Sequence, residues 1–73
     1  MIEIGKIGVI EQGDDKGCQI KVLDDQDSTG GFLIITGKNL NDPNEEAFDD
    51  WVGSEKELEG YFKESNWVIR WLQ

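Results

Sequence analysis

Three short apolar runs, each followed by a segment rich in glycine and aspartate, fill the first half of the chain. They cover residues 7–12, 18–23 and 32–36. The second run alternates apolar and polar side chains, as a half-buried strand does, and the third is apolar on both parities, as a strand buried on both faces is. Because the links between the runs are short and polar, we expect an antiparallel β-meander.

The N-terminal segment changes parity before the first run. Ile2 and Ile4 share one parity, whereas Ile7 and Val9 share the other. A bulge or bend near Gly5 would allow all four side chains to lie on the same face of a sheet.

The second half of the chain predicts a long loop, one helix and one strand. Residues 38–53 have no clear periodicity and contain the only proline, so they predict a loop. Ser54 and Glu57 fit a capping box at the start of a helix that ends near residues 65–66. Along this helix Leu58, Tyr61 and Phe62 form one apolar stripe. The alternating segment 67–72 predicts a final strand.

These elements predict a single α+β domain over residues 1–73: a three-stranded antiparallel meander, a long loop, one helix packed on the sheet and a C-terminal strand, in the order β-β-β-α-β. One helix covers only one face of such a sheet. The other face therefore needs either the loop residues Phe48, Trp51 and Val52 or a partner to cover it. We expect Phe48 and Trp51 to act as lids on the core, and Gly60 to permit close packing of the helix.

The residues that most enzymes and metal sites require are missing. The chain has no histidine and one cysteine, so it offers neither a nucleophile–histidine pair nor a zinc site. Cys18 lies on the same parity as Ile20 and predicts a buried, inert thiol. Residues 25–30 resemble the first half of an EF-hand loop, but Thr36 stands where the last ligand should be. We therefore expect no enzymatic activity, no metal and no cofactor.

The charge of the chain is strongly negative and unevenly distributed. The net charge is −9, and residues 42–64 hold nine carboxylates against two lysines. Such a field repels nucleic acid and anionic lipid and attracts basic proteins. No apolar run reaches the roughly 18 residues that a membrane span needs, and the N-terminus does not read as a signal peptide. With a single cysteine, these features favour the cytoplasm.

The C-terminal third resembles a known group of proteins. The segments FDDWV, SEKELEGYF and NWVIRWL are similar to segments of small bacterial immunity proteins from polymorphic toxin systems, in which an acidic–aromatic stretch, a short helix and a tryptophan-rich last strand recur. The resemblance implies a stoichiometric inhibitor that binds a cognate toxin.

Together these features predict a non-catalytic, acidic protein-binding module that docks on a basic partner, including the case in which its carboxylates mimic nucleic acid in a cationic site. Trp and Tyr dominate binding hot spots, and charge selects the partner. The predicted contact residues are Phe48, Asp49, Asp50, Trp51, Glu45, Glu46, Glu55 and Glu59. Two alternatives remain: a protein that self-associates as a homodimer through the uncovered sheet face, and an acidic surface that only keeps the chain soluble.

Overall fold

The computed structural model describes residues 2–72, which form five strands and one helix. The elements are β1 (Ile7–Gln12), β2 (Gln19–Asp25), β3 (Gly31–Gly37), β4 (Ala47–Val52), α1 (Glu55–Glu64) and β5 (Val68–Trp71). The α+β class is confirmed. The predicted order β-β-β-α-β is wrong, because residues 38–53, predicted to be a loop, contain the additional strand β4.

All five strands belong to one antiparallel sheet in the order β4-β3-β2-β1-β5. The meander β1-β2-β3 continues into β4, which forms one edge. The chain then crosses the sheet through α1, and β5 pairs with β1 at the opposite edge. Strands β4 and β5 are thus four inter-strand spacings apart, about 19 Å.

Both ends of α1 are closed by local hydrogen bonds. The Ser54 hydroxyl accepts from the Glu57 N–H at 3.1 Å, as a capping box requires. The reciprocal bond shifts by one residue, because the Glu57 carboxylate accepts from Gly53 N–H. At the C-terminus Asn66 has φ 56°, and the N–H groups of Asn66 and Trp67 donate to the carbonyls of Lys63 and Phe62. These bonds form a Schellman motif.

The hydrophobic core lies between α1 and one face of the sheet, here called the helix face. Its buried members are Ile10, Ile20, Val22, Phe32, Ile34, Val52 and Leu58. The members from β1 to β4 all point to the helix face, because successive side chains of a strand point to opposite faces. Leu58 is the only residue of α1 that is buried.

The opposite face of the sheet, here called the open face, has no helix packed on it in residues 2–72. Leu23, Leu33 and Ile35 lie there and are only half-buried, so the prediction that residues 32–36 are buried on both faces is wrong. At one end of this face the loop before β4 approaches the sheet, where the Gln19 side chain accepts a hydrogen bond from the Leu40 N–H at 2.7 Å. The expected lids do not form, since Phe48 and Trp51 are 64% and 51% exposed.

Three smaller expectations have mixed outcomes. The bend at Gly5 is confirmed, with φ 85° in a turn that precedes β1. Gly60 does not serve close packing, because a Cβ added there would meet no atom within 4 Å. Cys18 contacts the core but is half-buried rather than buried.

No helix in residues 2–72 has the length and apolar character needed to cross a bilayer.

Candidate functional site: the β4 edge and the α1–β5 groove

Strand β4 presents its side chains alternately to the two faces of the sheet. Phe48 lies opposite Thr36 and Asp50 opposite Ile34, which sets both on the helix face. Asp49 lies opposite Ile35 and Trp51 opposite Leu33, on the open face. The strand is exposed at every position except Val52. Each face of this edge therefore carries one carboxylate and one large exposed aromatic ring.

The two aspartates of β4 have different surroundings. Asp50 accepts a hydrogen bond from the Tyr61 hydroxyl and so joins the sheet edge to α1. This bond, followed by burial and the negative charges of Asp50, Asp15 and Asp14, raises the pKa of Tyr61 to about 12. Asp49 has neither a helix nor an ion pair beside it in the described chain. Asp50 thus has a structural role, whereas Asp49 is available to a partner.

Trp51 is held in place although half of it is exposed. Its indole Nε1–H donates to the Thr29 hydroxyl at 2.9 Å. A Cβ added at Gly31 would lie 2.7 Å from the indole Cε2 and would overlap the carbonyl oxygen of Val52. The ring therefore packs across the backbone of Gly31, and only a glycine permits that approach.

The remaining predicted contact residues fall into two places. Glu45 and Glu46 lie in the loop before β4, beside a small hollow that Phe48 and Cys18 also line. Glu55 and Glu59 lie on α1 and face away from β4, toward β5. The structure thus brings six of the eight residues together at the β4 edge and separates Glu55 and Glu59 from them.

Between α1 and β5 lies a groove with a volume of about 570 Å³, which the sequence pattern does not predict. A helix with its side chains is about 10 Å wide, so one helix cannot cover a sheet about 19 Å wide. Because α1 packs on β3 and β4, the helix does not cover the part of the helix face above β1 and β5. The groove lies there, and Ile2 and Ile4 of the N-terminal segment also line it. The alternation in residues 67–72 indicates that Trp67, Ile69 and Trp71 share one face of a strand. The sequence does not indicate that this strand lies at the edge of the sheet opposite β4.

Among residues 2–72, no three histidine, cysteine, aspartate or glutamate residues cluster as metal ligands do. The EF-hand-like stretch is a turn in which the N–H groups of Ser28 and Thr29 donate to the Asp25 carbonyl. The carboxylate of Asp24 accepts from the Gln26 N–H at 3.1 Å. These contacts explain Asp24 as a turn-forming residue.

Comparisons with protein families, with curated proteins and with solved structures found no match to this chain. The resemblance to immunity proteins therefore stays a prediction, and the site has to be interpreted from its own chemistry.

Proposed function

We propose that this chain is a non-catalytic binding module that docks on a basic protein, and that the partner is a toxin which the chain inhibits, as the immunity-protein resemblance implies. The observation that carries the proposal is the β4 edge. It combines an exposed strand with two large exposed aromatic rings, Phe48 and Trp51, and with Asp49, a carboxylate that forms no ion pair within residues 2–72.

The mode of docking that this edge supports best is strand addition. In the described chain β4 pairs only with β3, so its outer side has a row of backbone N–H and C=O groups without strand partners. An extended segment of another protein can pair with such an edge, with backbone bonds giving affinity and alternate side chains giving specificity. Exposed strand edges also invite self-pairing, which charged side chains oppose. Asp49 and Asp50 disfavour a second acidic copy and favour a basic strand.

The aromatic rings supply the apolar part of the contact. Trp51 is fixed by Thr29 and by its packing on Gly31, so little side-chain entropy is lost when a partner covers it. Phe48 offers a second anchor on the other face of the same strand. Anchors of this type account for much of the energy of known interfaces.

The charges of the edge supply selectivity and association rate. Glu45 and Glu46 lie directly before β4, are exposed, and form no ion pair within residues 2–72. With Asp49 they give the edge a local negative field within a chain whose net charge is −9. Such fields speed the encounter with a basic protein and weaken as salt is added.

The proposal is tested with an extended basic peptide, acetyl-KVKVKVK-amide, titrated into the 15N-labelled chain and followed by amide chemical shifts. The expected shifts lie on residues 47–52 and the Trp51 indole, weaken with salt, and are absent for the acidic peptide EVEVEVE. Asp49→Asn weakens binding several-fold. The matched control Glu64→Gln removes one charge from the exposed end of α1 and leaves binding unchanged. Shifts spread over the whole acidic surface, or equal losses in both variants, refute strand addition at β4.

The natural partner is then identified by capture from lysate at low and high salt, with wild type beside Asp49→Asn. A basic protein held by wild type, released by salt and lost in the variant supports the proposal. Growth inhibition by that protein, relieved by this chain, supports the inhibitor role. A partner that wild type and Asp49→Asn capture equally contradicts it.

Self-association through the open face is the second candidate function. Leu23, Leu33 and Ile35 form an apolar strip there, continued by Trp51 at the β4 edge. Contiguous apolar surface of this kind marks interaction sites, and a two-fold dimer would bury the strip against its own copy. Sedimentation at several hundred micromolar decides: a dimer that Ile35→Lys dissociates supports this candidate, and a wild-type monomer removes it.

A further inference from the structure

The groove between α1 and β5 has the composition of a small-molecule site. Its floor is the buried Leu58, and its aromatic and aliphatic walls come from α1 (Phe62), from β5 and the turn before it (Trp67, Ile69 and Trp71), and from the N-terminal segment (Ile2 and Ile4). Its volume of about 570 Å³ lies within the range of about 300–1,000 Å³ that is usual for ligand pockets. The site is separate from the β4 edge, since α1 lies between the two.

The aromatic walls are arranged before any ligand binds. The rings of Phe62 and Trp67 meet edge to face, with centroids 4.9 Å apart. Phe62 also stacks on Trp71 at 6.3 Å, and the Trp67 indole N–H donates to the Asp14 carbonyl at 2.6 Å. The Schellman motif at Asn66 turns the chain so that Trp67 returns onto Phe62. Rings held in this way lose little freedom when they bind a ligand.

The rim of the groove is mainly anionic. Glu55 and Glu59 are one helical turn apart on the same side of α1, and both line the groove. Neither carboxylate forms an ion pair in the described part of the chain. Lys63, one turn further along, lies at the end of the groove near Trp67 and partly offsets them. Carboxylates beside aromatic faces favour a cation, because both groups attract positive charge.

We propose that this groove binds an organic cation with an apolar body, that is, an alkyl- or arylammonium compound whose charged end meets Glu55 and Glu59. The apolar body then covers Leu58 and contacts Phe62 and Trp71. The net charge of −9 acts against carboxylate-bearing amphiphiles of the same shape. From Glu55 to Lys63 the helix spans only about 12 Å, which fits one small molecule rather than a long peptide.

Three probes of one shape test the proposal: 4-phenylbutylammonium, 4-phenylbutanol and 4-phenylbutanoate, each titrated into the 15N-labelled chain. The expected result is saturable shifts at Ile69, Trp71 and the Trp67 indole, with the ammonium tightest and the carboxylate weakest. Glu55→Gln with Glu59→Gln lowers the ammonium affinity at least tenfold and leaves the alcohol affinity unchanged. Circular dichroism confirms that the variant is folded, as expected for two exposed side chains.

The matched control is Glu45→Gln with Glu46→Gln, which changes the net charge equally but lies at the β4 edge. It leaves the ammonium affinity within twofold of wild type. Equal losses in the two double variants would mean that the overall field alone attracts the cation, and this overturns the proposal. Equal affinities for the three probes, or no saturable shift at the groove, also overturn it. None of these outcomes bears on strand addition at β4, which the basic peptide tests separately.

Discussion

The hydrogen bond between Tyr61 and Asp50 can be tested directly, because Tyr61 is the only tyrosine of the chain. Tyrosinate absorbs near 295 nm, and tryptophan does not titrate in this range, so an absorbance titration reports Tyr61 alone. In wild type the pKa of Tyr61 is raised to about 12, with the hydrogen bond to Asp50 as the main cause. We expect Asp50→Asn to move this pKa toward its ordinary value of about 10.

The expected signal is large. At pH 11 a tyrosine with a pKa of about 12 is roughly one-tenth ionised, and one with a pKa of about 10 is roughly nine-tenths ionised.

The same pKa shift makes the free energy of unfolding depend on pH. Because the folded-state pKa lies above the unfolded value, the stabilisation is complete below about pH 10 and is lost as pH rises through about 12. At neutral pH Asp50→Asn should cost about 1 kcal/mol, because the asparagine amide oxygen can still accept from the Tyr61 hydroxyl but lacks the negative charge that strengthens the bond.

Asp49→Asn is the matched control, since it removes one neighbouring charge from the opposite face of β4. It leaves the Tyr61 pKa near 12 and the free energy of unfolding within about 0.5 kcal/mol of wild type, as most surface substitutions do. Far-UV circular dichroism at each pH shows whether the chain is still folded. A Tyr61 pKa of about 10 in folded wild type, or the same shift in both variants, would refute the assigned role of Asp50.

Four further substitutions test the fold. Gly60→Ala should raise stability by about 1 kcal/mol and the melting temperature by roughly 4–8 °C, because a Cβ there meets open space; a lower melting temperature would contradict this. Gly31→Ala should destabilise the chain strongly, since the added Cβ collides with the β4 backbone, and wild-type stability would show that Trp51 does not pack as described. Leu58→Ala should lower the free energy of unfolding, measured in urea, by about 3 kcal/mol, because it removes a buried side chain. Asn66→Ala should lower it by about 1 kcal/mol, because alanine is unfavourable in the left-handed conformation of this residue. Losses below half of these values would contradict the buried position of Leu58 and the helix-end role of Asn66.

The segment 47–52 shows why the candidate site was only partly predictable. Its two adjacent aspartates have a low propensity for strands. Each set of alternate residues in 47–52 contains two apolar residues and one aspartate, so the segment does not show the alternation of apolar and polar side chains that indicates a strand. At a sheet edge both carboxylates reach water, so the propensity cost is small. The acidic and aromatic residues of the candidate site could therefore be named from the sequence. Their division between the two faces of the sheet, and the hydrogen bond between Tyr61 and Asp50, could not be predicted from it.

The sequence by itself determined the local structure. The alternation in 18–23, the glycine-bounded turns, the cap at Ser54 and the parity of residues 67–72 depend on near neighbours in the chain, and each is found in the structure. Tertiary structure decided that β5 pairs with β1, at the edge of the sheet opposite β4, because strand order depends on contacts between residues that are distant in sequence. That single choice forces α1 to cross a sheet wider than itself, leaves the groove beside it, and leaves β4 as an exposed edge.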